Sequence, residues 1–262
     1  MVVSLYVDDL LVTEGDLSII SKFKENMQCE FEMANLGVMT YFLGIEFNQF
    51  KDGIFISQSK YASDLLEKFN MQNCKTVTIP LVANEKYKDK ESNDFVEVTS
   101  YRSLIGSLLY LSSTRPDIMF STSLLSRFMQ SPKLIHMRVA KRVLRYIRGT
   151  AEFGLWFSKS QSCDVIGYSD SDWVKSLSNS KSTSGYCFSL GSVVFCWNSK
   201  KQAVVAQSST EAEYIAASNA SNQAIWLKKL LTDLGQIQNN GIVLHIDNNA
   251  TIAITQNPVY YG

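Results

Sequence analysis

The sequence predicts a mixed α/β (α+β) protein, and three observations carry that prediction. Runs rich in Val, Ile, Tyr and Phe recur near the start of the chain and again after Phe153. Between them, residues 100–150 place apolar side chains at helical spacing. A long helical pattern over 210–235 is then followed by one more strand pattern, GIVLHID, so strands and helices alternate toward the end.

The elements follow in order. MVVSLYVDDLLV reads as two short strands meeting at Asp8 and Asp9, and Asp16 then caps a helical pattern with Leu17, Ile20 and Phe23 on one side. YFLGIEFNQFKDGIFISQ is a hairpin, because Asp52-Gly53 supplies the turn between two β-rich runs. KYASDLLEKFNM is amphipathic helix. Residues 81–98 turn polar and charged with no sustained period, which marks a linker. SYRSLIGSLLYLSS is a helix ending before Arg115-Pro116, a second helix covers roughly 117–129, and Ser131-Pro132 supplies a cap and a first-turn proline for a third that stops at Gly149. From Phe153 the strands GLWFSKS, DVIGYSDSDW, SGYCFSLGSVVFCWNS and AVVAQSS are expected, then a helix closing on Gly235, the strand GIVLHID and a helix-like NNATIAI.

Composition sets limits. The 262 residues are 45% hydrophobic and 11% aromatic, enough to bury a core, and 25 basic residues balance 25 acidic ones, so any signal of a charged partner is local. Five cysteines without C-x-x-C spacing and two histidines argue against a disulfide framework or structural zinc, and point to buried thiols in a reducing compartment. No apolar run approaches the ~18–20 residues of a membrane span. The apolar start carries two aspartates and lacks a basic leader, so a soluble intracellular protein is expected, with no membrane partner.

Two features carry chemistry. Asp170 follows the strand VIGYSD, Glu213 lies in the first turn of the long helix, and Asp247 ends IVLHID. Acids at two strand ends and a helix start can converge on divalent ions that activate water against a phosphodiester. Each also has an ordinary explanation: Thr210-x-x-Glu213 fits a capping box, Asp247 a turn or cap before NNAT, and Asp170 with Asp172 a solvated loop pair. The second feature is basic. Between Ile118 and Ala151 there are Arg127, Lys133, Arg138, Lys141, Arg142, Arg145 and Arg148 and no acid. Val139, Val143, Tyr146 and Ile147 share one helix face, which leaves Arg138, Lys141, Arg142, Arg145 and Arg148 to face phosphates or simply water.

Taken together these residues resemble a known family. YVDDLLV is similar to the Y-x-D-D hairpin of reverse transcriptases, and LGVMTYFLGIEF, IFISQSKYASDLL, YRSLIGSLLYLSSTRPDI and AKRVLRYIRGT to the segments that follow it in copia-class retrotransposon Pol polyproteins. GYSDSDW, KSTSGYCFSLG, WNSKKQAVVAQSSTEAEYIA and IDNNATIAI resemble that family's ribonuclease H domain. The resemblance implies part of the polymerase palm and thumb over 1–80, a polar linker over 81–98, a helical connection over 99–152 and a ribonuclease H-like mixed β-sheet with helices over 153–262.

It further implies Mg2+, with Mn2+ as a substitute, held by Asp170, Glu213 and Asp247 in one centre and by Asp8, beside Asp9, in the other. An RNA–DNA hybrid or other nucleic acid is the implied partner. Arg138, Lys141, Arg142, Arg145 and Arg148 would contact it, as would Lys200, Lys201 and Gln202 from a loop. Both active sites are expected to be incomplete: the family's polymerase uses a further upstream aspartate and its ribonuclease H a final acid, and both would come from polyprotein segments outside this chain. Polymerase activity is therefore not expected, and weakened hydrolysis or a non-catalytic nucleic-acid-binding remnant are the two functional expectations. A decayed element with no selected role is the third. Lys175, after the first acid, departs from the family and would compete with metal there.

Overall fold

The computed structural model describes residues 1–82, 96–159, 164–173, 180–238 and 240–257. Most of the linker expected over 81–98, and Lys175, lie outside them.

The chain begins with an isolated hairpin, β1 (Val2–Tyr6) and β2 (Asp9–Thr13), followed by α1 (Leu17–Glu30). Asp16 caps α1 by accepting from the Ser18 N–H at 2.8 Å, as its position predicts. No residue of α1 is buried. Next come β3 (Tyr41–Phe42), β4 (Ile45–Gln49), β5 (Gly53–Ser57) and four helices, α2 (Ser59–Lys68), α3 (Val98–Leu111), α4 (Met119–Ser126) and α5 (Leu134–Gly149). The helices bury one apolar cluster built from Leu65 and Leu66 of α2, Tyr101, Leu104, Ile105 and Leu108 of α3, Leu125 of α4, and Val139, Val143, Leu144 and Ile147 of α5. The apolar face assigned to α5 is thus the buried one. Its start differs from expectation: Lys133 is the N-cap residue, and its N–H donates to His136 Nδ1 at 3.0 Å.

β6 (Gly154–Ser158) corrects a second expectation. It does not open the C-terminal sheet but pairs antiparallel with β5, giving the order β3-β4-β5-β6. Gly154 permits the pairing, since a Cβ there would collide with the Ile56 carbonyl and lie 2.7 Å from the Phe55 ring.

The second sheet contains β7 (Val165–Asp172), β8 (Thr183–Leu190), β9 (Val193–Lys201) and β10 (Val243–Ile246) in the order β10-β7-β8-β9. β7, β8 and β9 form an antiparallel meander with an irregularity at Phe188/Ser189, and β10 lies parallel to β7 after the crossover helix α6 (Ser209–Asp233). A parallel neighbour requires such a crossover. α7 (Asn249–Gln256) follows β10. AVVAQSS, expected as a strand, is irregular chain over 203–208, because β9 runs on to Lys201 and leaves these residues to turn into α6. The fold is mixed α/β, as the sequence predicts.

α6 packs on β7 and β8 through small residues at its start, Ala212, Ala216 and Ala220, and larger ones later, Leu227 and Leu231. The facing side of β7 carries Val165, Gly167 and Ser169, all buried. A Cβ at Gly167 would lie 2.5 Å from Phe188 and 2.9 Å from Leu244, so the glycine leaves the space that these two side chains from the neighbouring strands fill. Among the described residues the cysteines are not the buried thiols expected: Cys29 is exposed, and Cys74, Cys187 and Cys196 are half-buried, while Cys163 lies outside the described residues. Among the described residues no helix is long and apolar enough to cross a membrane.

Candidate metal centre

Asp170 comes from β7, Glu213 from the second turn of α6 and Asp247 from the residue after β10. One carboxylate oxygen from each lies within 4.8 Å of the others, the only group of three or more potential metal ligands found among the described residues. The ordinary explanations for these acids give way to the local geometry. α6 begins earlier than Thr210: Ser208 is its N-cap, accepting from the Glu211 N–H at 3.1 Å, while Glu211 Oε2 accepts from the Gln207 N–H at 2.7 Å. Capping is therefore done by Ser208 and Glu211, which releases Glu213 to face the sheet. Asn248, not Asp247, caps α7 by accepting from the Thr251 N–H at 2.9 Å. Asp170 and Asp172 sit in a paired strand, in register with Gly185 and Thr183, rather than in a loop.

Glu213 is only 7% exposed, whereas Asp170 and Asp247 are open to solvent. Its Oε1 accepts from both the N–H (3.1 Å) and the hydroxyl (3.0 Å) of Ser171. Its Oε2 is buried with no hydrogen-bond partner among the described residues. Burial pushes the Glu213 carboxyl above the usual range; the Ser171 hydrogen bonds oppose this, and the charges of Asp170 and Asp247 add to it. Asp172 is also raised, by burial and then by Asp170, with Arg127 acting the other way. Arg127, at the end of α4, donates to Thr183 Oγ1 at 2.9 Å.

A groove of about 640 Å³ runs between Pro116, Met119 and Phe120 and the sheet face carrying Tyr168, Asp170, Asp172 and Trp197. Tyr168 stacks on His245 at 5.0 Å, one pleat before Asp170 and Asp247 on adjacent strands. Behind the site, Thr251 Oγ1 donates to the Thr210 carbonyl at 3.1 Å and ties α7 to the start of α6.

Other expected site residues lie elsewhere. Asp8 occupies the turn of the first hairpin after Val7 (φ 50°), and Asp9 begins β2; both are exposed, and no third acid joins them among the described residues. On α5, Arg138, Lys141 and Arg148 are exposed, while Arg142 and Arg145 are half-buried. Arg145 Nε donates to the Lys75 carbonyl at 2.9 Å, and Arg148 Nε to that of Gln72, so both brace the chain after α2. Lys200 and Lys201 are not in a loop but end β9. Gln202 is 5% exposed and faces inward: its amide nitrogen donates to Ser184 Oγ and to the Ala212 carbonyl, both at 2.9 Å. Sequence reasoning missed the roles of Ser171 and Gln202. The alternation in Ser169-Asp170-Ser171-Asp172 was the available signal, since it sends serines and aspartates to opposite faces.

Three acids thus converge from β7, α6 and the end of β10 on a mixed sheet whose one parallel pair is joined through a long helix. The chain belongs to the copia-type transposon Pol polyproteins. The reverse transcriptase (RNA-dependent DNA polymerase) family profile matches residues 1–83. The chain is 37% identical over 258 residues to the retrovirus-related Pol polyprotein from transposon RE1 of Arabidopsis thaliana and 36% over 271 residues to that from transposon TNT 1-94 of Nicotiana tabacum. These alignments take in 98% and 100% of this chain but 18% and 20% of those polyproteins, so the chain spans about a fifth of their length. A transposon Ty5-1 protein of Saccharomyces cerevisiae is 33% identical over 219 residues, covering 82% of this chain and 71% of that protein. No solved structure matches the chain significantly.

Proposed function

We propose that this reverse transcriptase-like stretch of a copia-type Pol polyprotein carries a ribonuclease H-type centre, in which Asp170, Glu213 and Asp247 hold Mg2+ or Mn2+ and direct hydrolysis of the RNA strand of an RNA–DNA hybrid. One observation carries the reading: a carboxylate only 7% exposed keeps one oxygen unpartnered among the described residues, beside two exposed carboxylates within 4.8 Å. An isolated buried charge is expensive, and a cation is the partner such a cluster accommodates. All-oxygen donors suit hard cations of this kind. Bound there, the metal would polarise a phosphodiester and lower the pKa of water. The chain's own part is to hold three carboxylates in a fixed array, with Glu213 anchored on Ser171 and the groove beside Asp170 left open to substrate.

The division into a palm and thumb part over 1–80, a linker over 81–98, a connection over 99–152 and a ribonuclease H-like part over 153–262 belongs to the same proposal, with the β5–β6 pairing extending the first sheet across the last boundary. Arg138 and Lys141, exposed on α5, would contact phosphates in this reading, and Lys200 would do so from the end of β9. Asp8 and Asp9 take no part in this hydrolysis. The test is Mg2+-dependent cleavage of a labelled RNA–DNA hybrid by the chain and by Asp170→Asn, with hybrid binding followed by fluorescence anisotropy. Cleavage lost in the variant while binding persists supports the hydrolase. A folded wild-type chain that binds hybrid without cutting it overturns the hydrolase and leaves a nucleic-acid-binding protein.

A further inference from the structure

Glu213 enters the three-acid centre with one oxygen already committed. Ser171 donates to Oε1 twice, from its N–H and from its hydroxyl, and leaves Oε2 as the oxygen without a partner among the described residues. Both sides of this contact are pinned. Ser171 lies in β7 in register with Ser184 of β8. Gln202 donates to that same Ser184 and to the carbonyl of Ala212, the residue before Glu213. Strand and helix are thereby fixed to one point, and the Glu213 carboxylate cannot turn without breaking two hydrogen bonds.

We propose that Ser171 is a metal-selectivity residue of this centre: by holding Oε1 it restricts Glu213 to one ligating oxygen and so favours Mg2+ or Mn2+ over Ca2+. The inference rests on the reading of Asp170, Glu213 and Asp247 as metal ligands. Calcium takes about six to eight oxygens at roughly 2.3–2.6 Å and draws readily on bidentate carboxylates, whereas magnesium takes a compact octahedron at roughly 2.0–2.1 Å, mostly waters with one or two carboxylates. Asp170 and Asp247 are exposed and have room for either mode. Glu213 is the ligand whose second oxygen is withheld, so the selection is made there. Ser171 acts through Glu213 and is a positioning residue.

The experiment measures Mn2+ binding to the full chain by electron paramagnetic resonance, with Ca2+ and Mg2+ as competitors, for wild type, Ser171→Ala, Ser171→Thr and Glu213→Gln, each checked by thermal melting. Ser171→Ala is expected to make Ca2+ about tenfold more competitive against Mn2+, the size of effect that one hydrogen bond to a charged group supports. Ser171→Thr, which keeps the hydroxyl, is expected to match wild type, and Glu213→Gln to lose tight Mn2+ binding. An unchanged Ca2+-to-Mn2+ ratio in Ser171→Ala, with Mn2+ still bound, overturns the selectivity role and leaves the metal centre standing. An equal shift in Ser171→Thr assigns the effect to packing and overturns it as well. A folded wild-type chain that binds no Mn2+ overturns the metal reading, and this inference with it.

Discussion

Arg115 is 2% exposed, and the structure allows the consequence of removing it to be worked out. Its guanidinium meets Asp117 in a fork, Nε to Oδ1 at 2.9 Å and Nη2 to Oδ2 at 2.7 Å, and donates to the Thr150 carbonyl (2.8 Å) and hydroxyl (2.6 Å). The Tyr146 hydroxyl also donates to Asp117 Oδ2 at 2.9 Å, and the rings of Tyr146 and Phe153 flank the cation. The network ties the start of α4 to the end of α5 just before β6. Arg115→Met keeps much of the volume but strands the Asp117 carboxylate and the Thr150 carbonyl. Breaking one side of a buried pair costs about 3–5 kcal/mol. Asp117 retains 31% side-chain exposure, so water relieves part of the loss and about 3 kcal/mol is expected. Thermal melting should show a drop of roughly 6–12 °C, against a change within about 0.5 kcal/mol for Arg138→Met on the exposed face. Burial alone would raise the Asp117 carboxyl, yet the hydrogen bonds and charge of Arg115 and the Tyr146 hydroxyl hold it below the ordinary range. Stability from this pair is therefore complete above the ordinary carboxylate pKa and is lost as pH falls through the lowered value of the folded protein. The gap between wild type and Arg115→Met should narrow in acid. Equal melting of Arg115→Met and Arg138→Met at neutral pH would refute the reasoning.

Three further outcomes can be checked on the same chain. In EDTA at neutral pH, Glu213→Gln should be more stable than wild type by about 1 kcal/mol, since it removes a buried charge with an unsatisfied oxygen. Because burial raises the Glu213 carboxyl, that advantage should shrink as pH falls through the raised value and be gone below the ordinary one; saturating Mn2+ should reverse the order, and melts that show neither sign count against it. Gly154→Val should cost about 2 kcal/mol by forcing β6 off β5, read as lost amide protection at 54–57 with α6 unchanged, whereas Gly106→Ala, in a helix with open space around it, should gain about 0.5–1 kcal/mol. Limited proteolysis should cut within 1–40 before it reaches α3 or α5, because α1 buries nothing; initial cleavage inside α5 would contradict that.

How far these features could be read from the sequence depends on whether their cause is local. α2, α3, α5 and α6 were legible because apolar spacing and terminal residues determine a helix within its own length. The turn at Asp52-Gly53 and the caps at Asp16 and Gly235 were legible for the same reason. The partner of β6 was not, since GLWFS carries nothing that distinguishes Ile56 from a strand of the second sheet. Glu213 illustrates the limit at one residue. Thr210-x-x-Glu213 and Ser208-x-x-Glu211 are equally good capping boxes on paper, offset by two residues, and a glutamate two positions out of a box points to another face of the helix. Only the burial of Ala212, Ala216 and Ala220 where α6 packs on β7 decides between them. Gln202 was misread for a related reason: next to two lysines it looks like surface, but β9 turns there and carries it beneath α6.

The buried polar atoms without partners are unevenly distributed over the described residues. Among the described residues, the buried side-chain atoms without partners are Ser169 Oγ, Ser182 Oγ, Gln202 Oε1, Glu213 Oε2, Gln58 Nε2 and Arg142 Nε. The first four belong to β7, to the approach to β8, to the residue after β9 and to α6; β7 and α6 carry two of the three clustered acids. Folding opposes such atoms, since each one loses water and gains nothing in return. Local rules are broken together where a site needs polarity that stability does not. The helical cluster of α2 to α5 is built the opposite way, from apolar side chains that bury one another.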